Sequence, residues 1–151
     1  MIMRKTFAAL AAVVGCAAFA AGTWAVLAED EPEGPVEIAW GEELCARCHM
    51  PISVASFATQ VQLEDGVVLD FDDPGCMLSW LARNEAPVNR IWLHHATRDQ
   101  WLLAADAGFI WWDVTPRGFG LAVVGASEPN AMGWDAAASH LATRGRTGQD
   151  D

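Results

Sequence analysis

Positive charge is scarce in this chain. Nine lysines and arginines face twenty aspartates and glutamates over 151 residues, a formal net charge of −11 that no single acidic block carries. A surface of that sign repels a phosphate backbone, so DNA and RNA binding are excluded; cations and basic proteins are tolerated. Tyrosine is absent beside eight tryptophans, an imbalance with no functional reading. No second C-x-x-C pair accompanies Cys45 and Cys48. A zinc site wants four ligands, commonly from a second Cys or His pair, and would have to recruit Cys76 with His94 or His95. The chain is long enough to bury a core without disulfide staples.

The single long apolar run lies at the start. Arg4 and Lys5 precede residues 7–28, after which Glu29, Asp30 and Glu31 begin abruptly. Residues 1–28 therefore read as a signal peptide or an N-terminal membrane anchor, a hydrophobic helix ahead of the folded domain. Val13-Val14-Gly15-Cys16 fits a lipoprotein processing site with Cys16 as the lipid-bearing residue, although the apolar run continuing past it is unlike the usual polar tether. Val26-Leu27-Ala28 offers small residues for ordinary cleavage. Left uncleaved, about 22 apolar residues suffice to span a bilayer. Each outcome places the remainder outside the cytoplasm, on the periplasmic side, with Arg4 and Lys5 retained inside.

Residues 29–41 are acidic and proline-bearing and read as a solvated linker. The domain proper spans 42–145, and 146–151 form a polar tail. Phe57, Thr59, Val61 and Leu63 alternate with Ala58, Gln60, Gln62 and Glu64, the period of a half-buried strand. Asp65-Gly66 is a tight-turn signal, and Val67, Leu69 and Phe71 continue the alternation, which predicts a β-hairpin. Asp73-Pro74 opens a helix, with Asp73 as cap and Pro74 at the first helical position, running to about Asn84. Residues 90–95 predict a third strand. A weaker echo follows: strands over 101–105 and 109–114 flanking a turn at Asp106-Ala107-Gly108, a strand over 118–124, and a helix from Ser127 with Gly145 as its stop. The fold class is α+β, made of paired ββαβ-like units with the second incomplete, because the tail is too short to supply a closing strand.

Cys45-Ala46-Arg47-Cys48-His49-Met50 carries the chemistry. Read to His49 it is C-x-x-C-H, the attachment signal for covalent haem c, with His49 as axial ligand and Met77 or Met132 as the second. The small cytochromes that use this signal are mostly helical, whereas here a hairpin follows at once. Read to Met50 it is C-x-x-C-x-M, two thiols and a thioether, a set that selects Cu(I). In an extended segment Cys48 and Met50 point to the same side. The pair could also close as a disulfide in an oxidising compartment. A thiol oxidoreductase would want the pair opening a helix, and Pro51 fits that badly.

With Phe71-Asp72-Asp73-Pro74-Gly75-Cys76-Met77 added, the chain resembles the NosL family, accessory copper chaperones of nitrous oxide reductase. The order agrees: export segment, C-x-x-C-x-M, hairpin, F-D-D-x-G-C-M helix start, Trp-rich middle and alanine-rich helix. The resemblance covers roughly residues 42–145. It implies a periplasmic Cu(I) carrier, often lipid-anchored, that is not an enzyme and serves denitrification by delivering copper to the reductase through a membrane copper-assembly complex. It also implies paired ββαβ units, as in organomercurial lyase. The family's ligands carry over to Cys48 and Met50, with Cys45 as the other motif thiol, while His49 either adds a ligand or marks a divergent member. Position 49 is usually glycine in the family, and Pro116-Arg117-Gly118 stands where the family tends to have Pro-Met-Gly.

Other chemistry-bearing residues read as structural. Met77 and Leu78 form a helix face for the core. Cys76 sits in the first helical turn, where the dipole favours a thiolate, but is expected to be a buried inert thiol. His94 and His95 face opposite sides of a strand and at most one can join a given site. His140 reads as a solvated helix residue, and Met132 as a candidate replacement for the missing methionine. Asp70, Asp72 and Asp73 resemble a hard-ion site but are assigned to structure.

Overall fold

A computed structural model describes residues 32–144; the apolar segment with Cys16, the helix stop at Gly145 and the polar tail lie outside the described residues. The hairpin forms where the alternation places it, as β1 (Thr59–Leu63) and β2 (Val68–Phe71). Gly66 turns it at φ 86°, a left-handed conformation that costs glycine nothing. Asp65 Oδ1 accepts the Val67 amide at 3.1 Å. Helix α1 (Pro74–Leu81) follows, with Asp73 at φ −155° and its carboxylate accepting the Gly75 amide at 2.8 Å. The cap thus satisfies one of the orphan donors that every helix start exposes. The helix stops short of Asn84, whose side-chain amide instead donates to the Trp80 carbonyl at 2.8 Å.

Strand β3 (Val88–His94) returns to pair with β1. Both β2 and β3 run antiparallel to β1, so they are parallel to each other and α1 is the crossover between them. Central β1 is not half-buried. Gln60 and Gln62 are as enclosed as Val61, because residues 34–36 lie along that face. Val36 N–H donates to Gln60 Oε1 at 2.8 Å, and Gln62 Nε2 donates to the Gly34 carbonyl at 2.8 Å. The stretch that reads as solvated linker is therefore docked from Pro32 onward, and Ile38 enters the core. Buried glutamines are tolerated because the docking chain supplies their partners.

The weaker echo folds differently from its expectation. Strand β4 (Trp101–Leu103) extends the first sheet beyond β3, giving the order β2-β1-β3-β4. Strand β5 (Ala107–Trp111) pairs instead with β6 (Leu121–Gly125) in a separate two-stranded sheet. Residues 104–106 form a single 3-10 turn, and Gly108 lies inside β5 rather than in a loop. A Cβ there would meet Ala131 Cβ at 3.1 Å, so the glycine serves close packing. Helix α2 (Trp134–Arg144) begins later than Ser127, since Asn130 takes φ 63° and Met132 pairs with Phe109 in a β-bridge. Among the described residues the architecture is α+β, with two helices and two antiparallel sheets. Phe71, Met77, Leu93, Phe109 and Leu121 are fully buried in one core that both sheets and both helices share. No helix among the described residues is long and apolar enough to cross a membrane.

Candidate metal centre

The cysteine motif folds as a closed turn. Leu44 and Pro51 form an isolated β-bridge at its neck. Inside it, the Cys45 amide donates to the Met50 carbonyl and the His49 amide to the Cys45 carbonyl, both at 2.9 Å. Closing so short a loop forces His49 to φ 59°. That left-handed position favours glycine and tolerates His better than branched residues, a physical reason for glycine to be common there. The segment is not extended, so strand alternation does not place Cys48 and Met50 on one side. Met50 is 45% exposed. His49 is exposed as well and lies outside the group of converging ligand atoms.

The turn surrounds the Cys45 sulfur with groups that favour its thiolate. That sulfur receives backbone amides from Cys48, Asp72 and Arg47, and the loop is tied to β2 by the Ala46 amide donating to the Asp70 carbonyl at 2.8 Å. Facing it, β2 runs into Asp72 and α1 opens with Cys76, two residues after Pro74. Ligand atoms of Cys45, Cys48, Asp72 and Cys76 all lie within 4.8 Å of one another. Three thiols and one carboxylate at that spacing form a group able to hold a metal ion. All three described cysteines are free thiols.

Their electrostatics are shared. Cys45 is lowered from 9.0 to about 6, first by a hydrogen bond from the Cys76 thiol and then by the three amides, against the opposing effect of burial. Cys76 is pushed up, chiefly because its proton is held toward Cys45 and then because it is buried. Cys48 is raised by burial, with the Met50 amide pulling the other way. The three thiols titrate as one group, in which the thiolate is most favoured at Cys45.

Two arginines flank it. Arg47 reaches Cys76 Sγ at 3.9 Å and stacks over the Phe119 ring at 5.3 Å from its centroid. A Cβ at Gly75 would overlap that ring, so glycine is required where the helix passes Phe119. Arg117 arrives on a turn in which the Gly118 amide donates to the Thr115 carbonyl at 3.1 Å, with Gly118 at φ 70°. Its own amide donates to Asp73 Oδ2 at 3.0 Å, docking the turn on the helix cap. Burial raises the Asp73 carboxyl, and the Arg117 and Gly75 amides offset part of that rise. The Arg117 guanidinium Nε then lies 2.7 Å from Asp72 Oδ2, while Asp72 Oδ1 accepts from the Cys48 thiol at 3.5 Å. The Arg117–Asp72 contact is an ion pair by distance without hydrogen-bond alignment, and neither of those two buried atoms has another partner.

The structure thus brings Cys45 and Cys48 together, as the motif implies, and adds Cys76, which the sequence offered only as a zinc ligand beside a histidine, Asp72, which it assigned to structure, and Arg117, which stands where the resembling family tends to have methionine. Cys76 is buried, as expected, and its sulfur joins the group of converging ligand atoms. Its place in the first turn of a helix was the available signal. His94 and His95 stand apart from the cysteines: His94 Nε2 lies 3.3 Å from Asp99, and His95 Nε2 lies 2.9 Å from Glu128. Asp73 is a cap, and Asp70 accepts from Gln60 Nε2 at 2.8 Å. Met77 and Leu78 are core, and Met132 packs against that core on its bridge to Phe109. His140 is not a freely solvated residue; its ring lies 4.1 Å from that of Trp111. Comparison with family models, curated proteins and solved structures finds no match for this chain.

Proposed function

We propose that this protein is a Cu(I)-binding metallochaperone, not an enzyme, held on the periplasmic side of a membrane and supplying copper for nitrous oxide reductase maturation. The observation that carries metal binding is the convergence of Cys45, Cys48 and Cys76 on one point beside Asp72. Thiolates select soft ions, and three sulfurs suit a three-coordinate Cu(I). Met50, exposed beside the loop, supplies the thioether for handover, since it binds copper without a proton to lose. His49 is the remaining motif ligand. The family reading rests on the two motifs and their order. With it come the paired units (β1-β2-α1-β3 and β5-β6-α2), the anchor at residues 1–28 and a membrane copper-assembly complex as partner. Covalent haem is disfavoured, because thioether formation needs the Cys45 sulfur to meet a vinyl group, and Cys45 is fully buried.

Asp72 favours one second reading. With the three thiols it completes a tetrahedral set of the kind that holds structural Zn(II). Anaerobic titration of the reduced full chain with Cu(I) against a competing chelator separates the two. Tight 1:1 Cu(I) binding that is lost in Cys45→Ser and Cys76→Ser supports the chaperone. Zn(II) held more tightly than Cu(I), with unfolding on its removal, supports the structural site. A Cys48→Ser, Met50→Leu double variant that binds Cu(I) unchanged would exclude the proposed site.

A further inference from the structure

We infer that Arg117 is the specificity-determining residue of the cysteine site: paired with Asp72, it keeps the carboxylate out of the metal's coordination sphere and biases the site toward a monovalent soft ion over Zn(II). This rests on the metal-binding reading above, but not on the choice of copper as the natural cargo.

The argument starts from Asp72. It is 3% exposed at its side chain, so it cannot turn to water for a partner. One oxygen faces Cys48 and the other faces Arg117 at 2.7 Å. The Arg117 side chain is itself 29% exposed and is placed by the backbone, since the Arg117 amide is fastened to Asp73 and the turn is closed between Thr115 and Gly118. The pair is therefore built by the fold rather than assembled by a loose surface side chain.

Two consequences follow. A four-coordinate divalent ion that took Asp72 as its fourth ligand would have to compete with a half-buried guanidinium for the carboxylate. A three-coordinate Cu(I) needs only the sulfurs and leaves the pair intact. A fixed positive charge near the ion also opposes M²⁺ twice as strongly as M⁺, because the Coulomb energy scales with the ion's charge. Arg47, the second guanidinium over Cys76, acts in the same sense. The same carboxylate that makes a zinc reading attractive is thus the group whose partner works against zinc.

The test measures Cu(I) and Zn(II) affinities of the full chain and its variants under anaerobic reducing conditions, with Co(II) absorption as a reporter of tetrahedral coordination. In Arg117→Gln, Zn(II) affinity is expected to rise about tenfold or more and Cu(I) affinity to stay within about threefold. Co(II) bands should shift toward a four-coordinate thiolate–carboxylate site. Asp72→Asn added to Arg117→Gln should abolish the gain, and Arg117→Lys should retain most of the natural preference. An unchanged Zn(II)-to-Cu(I) ratio in Arg117→Gln, or a gain that survives the added Asp72→Asn, overturns the inference. Should Arg117→Gln not fold, Asp72→Asn alone decides: Zn(II) affinity near that of the natural protein supports the inference, and a loss of about tenfold or more means that Asp72 already coordinates and overturns it. A natural protein that prefers Zn(II) overturns the copper reading, while the shift between variants still decides the role of Arg117.

Discussion

Cys45, Cys48 and Cys76 turn their sulfurs toward one another, whereas His94 and His95, at the end of β3, turn away to separate carboxylates. Both clusters hold good metal-ligand types. In the histidine cluster every ring nitrogen lies within hydrogen-bond distance of a neighbouring group. The Thr97 amide donates to His95 Nδ1 at 3.2 Å, so Nε2 carries the proton that Glu128 accepts, and Arg98 holds the same Glu128 oxygen at 2.6 Å. His94 Nδ1 lies 3.0 Å from the His95 carbonyl. In the cysteine cluster the partners of each sulfur are chiefly other sulfurs and backbone amides, groups that keep their places when protons are exchanged for a metal ion. Ligand types become a site when their donors point at one shared vacancy, and become structure when other groups already consume them.

The largest expected difference between the clusters is in metal affinity. Cys45→Ser should weaken Cu(I) binding by about a hundredfold or more, beyond the usual cost of disturbing outer groups around a metal, while His95→Gln should leave it unchanged in the same titration. Equal losses in both variants would erase the distinction. Next in size is the packing that holds the cysteine site: Gly75→Ala drives a methyl into Phe119 and should destabilise the fold by about 2–3 kcal/mol in thermal or denaturant unfolding.

The thiols also make the metal-free protein respond to pH. Cys45 is lowered in the folded chain from 9.0 to about 6, so its contribution is fully present above 9 and is lost as pH falls toward 6. Cys48 and Cys76 are raised, so above pH 9 the unfolded chain releases protons that the folded chain keeps, and stability falls again. Metal-free stability should therefore climb from pH 6 toward 9 and decline beyond it. Cys45→Ser should flatten the climb, and thiolate absorbance should show the missing titration near 6. The smallest effect belongs to the histidine side. Asp99 is fully exposed at its pair with His94, and Asp99→Asn should leave the melting temperature within measurement scatter, as exposed ion pairs usually do.

Much of the first half of the fold is legible locally. The alternation of residues 57–71, the Asp65-Gly66 turn and the Asp73-Pro74 cap are short-range signals, and hairpin and helix start form close to where they place them, with Phe57 falling in a 3-10 turn ahead of β1. The second half is less legible because pairing partners are chosen by packing. Trp101 sets its ring edge-on against His94 at 5.2 Å and joins the first sheet, leaving β5 to pair with β6. Gln60 and Gln62 look solvent-facing until the chain at residues 34–36 covers them. In the site, the closeness of the Cys45 and Cys48 sulfurs is visible from spacing, but the closed turn that carries them is not. Asp72 and Cys76 sit beside a recognisable helix start but give no local sign of facing Cys45.

Local chemistry along the chain was enough to settle that the Cys45 and Cys48 sulfurs lie close together, that a helix begins at Pro74, and that a hairpin lies between them. Only the tertiary structure decided that a third thiol, a buried carboxylate and Arg117 close around those sulfurs. The reason is distance in sequence: Arg117 reaches Asp72 across 45 residues through a turn fastened to the Asp73 cap, an encounter that no residue pattern encodes until the core has packed.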